Sequence, residues 1–261
     1  EAEVNANDST KVTIKPNVYS WRGINVKNIF ETSYNYLREN DSHMMKNTEW
    51  GAVAYLSHSK YGINMKIRIN NNSSFITGYS KTEEPTCGYS ITSENCNEYE
   101  ETNLNNDGLY TKKYNTEIGY LASTTRNISG IYDMSGGAQE YVAGYLDKNF
   151  GLSELTPTNY DSKYFDIYNA ASAMSTFQYR ILGDATGEMG PFTRLIATES
   201  NSDLRLIVSN WYTSNSYFVD SYSWFTRGCA YLYGVVSSQF SVRRFNGVAN
   251  NELTFRIVLT P

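Results

Sequence analysis

Two histidines, three cysteines and a scatter of paired carboxylates are the side chains in this chain best suited to chemistry. With only His43 and His58 available, a multi-histidine metal centre is excluded, and any Ser-His-Asp or Cys-His nucleophile would have to recruit one of these two rings. The pairs Glu83-Glu84 and Glu100-Glu101 stand in polar, turn-rich sequence, which marks exposed loop charge rather than a tuned acid and base. No Gly-x-Ser-x-Gly elbow, phosphate loop or dinucleotide fingerprint occurs. The run Asn103-Leu104-Asn105-Asn106-Asp107-Gly108 offers the oxygen ligands calcium prefers but lacks a helix-loop-helix pattern, and reads as a solvated loop.

Cys87 and Cys96 flank a polar segment whose length and turn-rich composition suit a local disulfide closing a surface loop, and no zinc-type Cys-x-x-Cys spacing offers them another task. That pairing implies an oxidising, extracellular or cell-surface location, against the alternative of two reduced thiols in a cytosolic loop. Cys229 is left over. The chain starts at Glu1 without Met, and the polar stretch to Thr13 carries no signal-peptide pattern; a processed or truncated ectodomain would begin this way, with any membrane anchor outside the chain given.

The elements that must position these residues are few. At 261 residues the chain accommodates one large domain with a real core, and hydropathy of −0.50 without a long apolar run excludes a membrane span. Lys+Arg 22 against Asp+Glu 27 leaves a net charge of −5, with no basic block, so nucleic acid is excluded as a partner. After a polar lead-in over 1–20 with a short strand near Lys11–Ile14, Ile29, Phe30, Tyr34 and Leu37 recur at helical spacing and predict a helix over 26–39. Thr48 as N-cap, with Trp50, Val53, Ala54 and Ser57 on one face, predicts a second helix to about His58. Beyond it, short aromatic and β-branched stretches predict strands at 179–183, 193–198, 204–208, 225–231, 238–244 and 253–259, the last alternating over Leu253, Phe255, Ile257 and Leu259. The intervals 78–118 and 144–178 show no sustained period and read as loops on a rigid scaffold. With no repeat and no linker, 21–261 is expected to be a single domain.

The segment Gly130-Ile131-Tyr132-Asp133-Met134-Ser135-Gly136-Gly137-Ala138-Gln139-Glu140-Tyr141 resembles the signature of the formylglycine-generating-enzyme/sulfatase-modifying domain. Glu49-Trp50, Arg227-Gly228-Cys229 and Phe255-Arg256 match further pieces of that family in order, so the resemblance spans about 25–260. It implies an α+β, C-type-lectin-like fold: two early helices, a small twisted antiparallel sheet, extensive loops and a final strand pairing back near the chain start. Glu49, Glu140, Arg227 and Arg256 are charges in apolar surroundings, where a charge must be paired or hydrogen-bonded; we read them as ion pairs pinning loops. Gly136-Gly137 reads as a turn requirement. The oxidase members hold copper with two cysteines, and carrying their spacing onto this chain puts Tyr233 and Ser238 in those places. With both thiols absent, the resemblance implies a non-catalytic branch rather than an oxidase. Structural calcium is common in the family, but the ligand position of the signature is Gly137 here; no cofactor is expected, with structural calcium elsewhere left open as the alternative.

Residues 209–250 hold eleven aromatics in 42 positions, against 15% for the chain, and only four formal charges, Asp220, Arg227, Arg243 and Arg244. Rigid aromatic anchors with small polar and Arg residues form the mixture found in paratopes and interface hot spots. Trp211, Trp224, Phe225 and Phe240 are assigned mostly to core. In the lectin-folded variable proteins diversified by retroelements, which this chain also resembles, the stretch between the Arg-Gly strand and the terminal Phe-Arg carries the variable surface. The matching interval is 230–254, inside an aromatic segment 209–256. Its candidate ligand-binding positions are Ala230, Tyr231, Leu232, Tyr233, Val235, Gln239, Val242, Arg243, Arg244, Phe245 and Asn250. The expected protein is a bacterial or phage surface adhesin that binds a protein or glycan receptor on another cell or host. The competing expectations are an oxidase relative and a structural pilus subunit.

Overall fold

The computed structural model describes residues 3–5, 8–82, 111–147, 149–168, 193–195, 207–209 and 222–260. Strands β1 (Glu3–Asn5) and β2 (Asp8–Thr13) form an antiparallel ladder. From Val12 onward the lead-in joins the body: Val12 is buried, Asn17 N–H donates to the Thr77 carbonyl at 2.9 Å, and Tyr19 bridges Ile76.

Helix α1 (Val26–Asn35) starts where the Asn25 side chain accepts from the Asn28 N–H at 3.0 Å, a cap that satisfies one of the first-turn donors. It buries Val26, Ile29, Phe30 and Ser33, the i, i+3, i+4, i+7 stripe. The helix stops short of the expected 39. The Ser42 hydroxyl takes the Leu37 N–H at 2.9 Å, and the chain tightens into a 3-10 turn over Arg38–Asn40 that ends at Asp41 with φ 47°. Strand β3 (His43–Met44) follows, then α2 (Asn47–Ser57). The N-cap of α2 is Lys46 rather than Thr48. Glu49 accepts the Lys46 N–H at 2.8 Å, while the Thr48 N–H and hydroxyl both go to the Asp166 carboxylate, at 2.7 and 3.1 Å.

Strands β4 (Tyr79–Lys81) and β5 (Thr111–Lys113) pair with each other. The principal sheet is built on β6 (Gln139–Leu146), whose eight residues are all buried. β7 (Asp166–Tyr168) runs parallel to its C-terminal half. A separate ladder joins β8 (Thr193–Leu195) to β9 (Ile207–Ser209). β10 (Trp224–Arg227) is antiparallel to β6, and β11 (Val242–Phe245) is antiparallel to β10 at the sheet edge. β12 (Leu253–Phe255) runs parallel to the N-terminal half of β6, and β13 (Ile257–Val258) leaves the sheet to pair with β3. The sheet is thus mixed, correcting the antiparallel expectation: the 246–252 connection carries the chain from the β11 edge to the far side of β6 with the same polarity. The fold class is α+β.

Alternate residues of β6 feed two cores. Tyr141, Ala143 and Tyr145 pack with Val26, Ile29 and Phe30 of α1, whereas Val142 and Leu146 pack with Trp50 and Ala54 of α2. Helices therefore cover both faces of the sheet. Gly144 allows this closeness, because a Cβ there would lie 2.9 Å from the Phe225 ring and 3.1 Å from Asn47.

Of the expected strands, 193–198 and 204–208 coincide in their described parts with β8 and β9, while 225–231 and 238–244 are replaced by the shorter β10 and β11, offset by one residue at one end. The 253–259 strand breaks at Arg256 into β12 and β13. The 179–183 expectation, Trp211, and the whole Cys87–Cys96 segment with Asn103–Gly108 lie outside the described residues. Among the described residues, no helix is long and apolar enough to cross a membrane.

Candidate functional site

The aromatic segment is displayed by a pinned loop. β10 ends at Arg227, and the chain turns through Gly228 (φ 80°) and Cys229 (φ 56°) before a 3-10 segment over Tyr231–Val236, broken at Gly234. The base is closed by the Ser237 hydroxyl on the Ala230 carbonyl at 3.0 Å and by the Tyr231 N–H on the Gly137 carbonyl at 2.9 Å. Ser238 and Ser241 then exchange bonds that shape the return into β11, with the Ser238 N–H on the Ser241 hydroxyl at 3.0 Å. The tip residues Tyr231, Leu232 and Tyr233 remain half-buried above this base.

The candidate positions separate according to burial. Tyr233 and Arg243 come together, the guanidinium 4.1 Å from the ring centroid. Arg244 lies over Tyr222 at 5.5 Å. Neighbours on a strand point to opposite faces, so these two Arg–Tyr stacks flank the β11 edge rather than forming one surface. Tyr231 meets Phe75 edge-to-face at 5.1 Å, and the Arg22 guanidinium stacks over the Phe75 ring at 3.9 Å.

Three candidates are corrected. Ala230 is fully buried at the loop base; Val242 is buried in the α2-side core; Gln239 is fully buried, its amide donating to the Met65 carbonyl at 3.2 Å and accepting from the Ile67 N–H at 3.3 Å. Their side chains fill the interior rather than the surface. Phe245 is half-buried against the α1-side core and 6.2 Å from the Tyr141 ring. Asn250 shapes a turn: its side chain accepts the Glu252 N–H at 2.7 Å and its carbonyl receives the Gly23 N–H at 3.0 Å. Leu232 is half-buried, and Val235 lies in the 231–236 segment. Tyr222 and Phe75 complete the stacks; Tyr222 was only one ring of an aromatic-rich window, and nothing in the sequence around Phe75 marks it.

The four scaffold charges find different partners. Glu140 and Arg256 form a two-pronged ion pair, Nε to Oε2 at 3.0 Å and Nη2 to Oε1 at 2.6 Å, and Arg256 also donates to the Tyr132 carbonyl at 3.0 Å. Arg227, fully buried opposite Glu140 in the β10–β6 ladder, donates to the Asn47 side chain at 3.0 Å. Both guanidiniums approach the Trp50 ring, at 5.9 Å for Arg227 and 5.7 Å for Arg256. Glu49 is less enclosed than the expectation held; its partners are His43 at 3.0 Å and Lys46 at 3.7 Å. Gly136 and Gly137 both have positive φ, and a Cβ on Gly136 would sit 2.4 Å from the Asn70 carbonyl oxygen. The neighbouring Asp133, also at positive φ and buried, accepts from the Asn70 side chain at 2.7 Å and the Gly78 N–H at 2.9 Å, and burial pushes its pKa up.

Two of the groups that could do nucleophilic chemistry, His43 and Cys229, are held or quiet. His43 faces an acceptor on each side, the Asp41 carbonyl at 2.7 Å from Nδ1 and the Glu49 carboxylate at 3.0 Å from Nε2, so both nitrogens must carry protons to satisfy both contacts. Desolvation opposes that charge, but the bonds to Glu49 and Asp41 outweigh it and raise the His43 pKa. Burial raises the Cys229 thiol, which disfavours the thiolate a nucleophile needs. Among the described residues, no three His, Cys, Asp or Glu side chains gather as a metal-binding group. No protein-family model matches this chain, and no curated protein matches it.

Proposed function

We propose that this chain is a non-enzymatic binding protein of the C-type-lectin-like, formylglycine-generating-enzyme type, which works at a bacterial cell surface or on a phage particle. It uses the loop 231–236 and the β11 edge to engage a receptor of another cell or host. The observation that carries this reading is the Tyr233–Arg243 stack at 4.1 Å, held on a loop whose base is tied to the sheet by buried hydrogen bonds. Rigid aromatic and Arg anchors above a fixed scaffold lose little conformational freedom on binding, which is what makes such residues hot spots. The acceptors that hold both nitrogens of His43 and the burial that raises the Cys229 thiol support the non-enzymatic side of the proposal.

Corrected for burial, the proposed face comprises Tyr231, Leu232, Tyr233 and Arg243, with Arg244 and Tyr222 on the opposite flank of the edge strand. If these positions are diversified, substitutions in a source population cluster in those codons and spare Ala230, Gln239 and Val242, whose side chains fill the interior. The direct test is the double substitution Tyr233→Ala and Arg243→Ala. It should abolish receptor binding while costing no more than about 1 kcal/mol of stability, as surface positions do. Unaltered binding by that variant would refute the placement of the site.

A further inference from the structure

A groove of about 470 Å³ opens between the N-terminal half of α1 and the turn before β12, lined by Trp21, Asn25, Asn28, Glu31, Thr32 and Ala249. That volume lies within the roughly 300–1,000 Å³ typical of small-ligand sites. One wall is aromatic. The Trp21 indole is half-buried and held edge-to-face on the buried Phe255 at 5.7 Å, while its backbone carbonyl receives the Thr254 hydroxyl at 2.9 Å, so the ring is a fixed platform. The facing wall is polar: Asn28, Glu31 and Thr32 stand at i, i+3 and i+4 and therefore share one face of α1. Asn25 is already committed, its side chain capping the helix and donating to Glu154 at 3.0 Å, so the site does not depend on the helix terminus.

This lining selects among ligand classes. Among the described lining residues there is one carboxylate and neither Lys nor Arg, so an anion would meet repulsion without a counter-charge. A purely aliphatic ligand would strip water from an amide, a carboxylate and a hydroxyl and return no hydrogen bond. A molecule with a C–H face and a rim of hydroxyls satisfies both walls: the face lies on the electron-rich indole, and the hydroxyls donate to Glu31 and exchange bonds with Asn28 and Thr32. We propose that this groove binds a neutral saccharide through Trp21, Asn28, Glu31 and Thr32, without a metal. The site is distinct from the C-terminal aromatic face and stands independently of it.

The test uses the full 261-residue chain. It is applied, in the presence of EDTA, to immobilised neutral hexose and N-acetylhexosamine oligosaccharides beside acidic ones, and the best binder is then followed by titration calorimetry and by the tryptophan indole N–H resonances. A neutral sugar should bind and shift the Trp21 resonance, assigned through Trp21→Phe. Asn28→Ala and Glu31→Gln should each weaken binding about ten-fold, the loss of one good hydrogen bond, with unchanged melting temperature. Binding that survives both substitutions, requires calcium, moves only other indoles or selects acidic sugars overturns the proposal, as does a panel with no neutral binder.

Discussion

Truncating Glu140 to Ala should destabilise this protein by about 3–5 kcal/mol, the range for breaking a buried ion pair from one side. The carboxylate sits on the central strand with 1% side-chain exposure, and each of its oxygens receives one arm of Arg256, at 3.0 and 2.6 Å. Arg256 is itself only 14% exposed, so losing its counter-charge leaves a guanidinium beside Trp50 that bulk water reaches poorly. Glu140→Gln keeps the volume and one acceptor, and should cost about 1.5–3 kcal/mol, the worth of hydrogen bonds to a charged group. Arg256→Ala strands the carboxylate instead and should fall in the same range as Glu140→Ala. Removing both charges together, as Glu140→Leu with Arg256→Met, should recover most of the loss, because the desolvation penalty of each ion disappears with its partner. Urea unfolding followed by tryptophan fluorescence and far-ultraviolet circular dichroism gives all four values, provided the two probes coincide. A cost below about 1 kcal/mol for Glu140→Ala, or a double variant no more stable than either single one, would refute the view of this pair as the pin between β6 and the C-terminal strands.

Two further outcomes follow from the same geometry. His43 has a raised folded-state pKa, so its contribution to stability is full below its ordinary value of 6.5 and is lost as pH rises through the folded pKa. Glu49 is shifted down, so its contribution is present above 4.5 and is lost as pH falls through its own lowered value. Melting temperature against pH should therefore decline on the alkaline side of 6.5, and His43→Gln should flatten that limb; an unchanged limb would contradict the raised His43 pKa. Gly136→Ala forces a side chain into φ 75° with its Cβ 2.4 Å from a backbone carbonyl and should cost about 1–3 kcal/mol by thermal melting, whereas an unchanged melting temperature would mean the turn can relax.

Both helices were legible from the chain alone, because each turns one apolar stripe inward: Ile29 and Phe30 in α1, Trp50 and Ala54 in α2. The central strand β6 was not. Its residues Gln139 to Leu146 are buried on both faces, so the alternation that reveals a half-exposed strand is absent, and a Gln, a Glu and a Gly interrupt the apolar run. The final strand shows the converse failure. Leu253, Phe255 and Ile257 alternate as if they belonged to one strand, yet the chain bends at Arg256, where the ion pair to Glu140 turns the side chain inward and passes β13 to β3.

The candidate face was legible as a segment but not residue by residue. Composition concentrates aromatics over 209–250, with Arg227, Arg243 and Arg244 among them, and that much follows from residue types in order. Which of them reach the surface depends on the loop base: Ala230, Gln239 and Val242 are drawn inside by the turn at Gly228 and the anchoring of Ser237, while Tyr233 is lifted onto Arg243. The groove beside Trp21 exists only because a turn some 230 residues later in the chain packs against α1. The sequence by itself determined the helical stripes, the sparse catalytic inventory and the need to pair four charges. Partner choice, strand polarity and exposure were decided by the tertiary structure, because each depends on contacts between segments whose spacing along the chain carries no record of their distance in space.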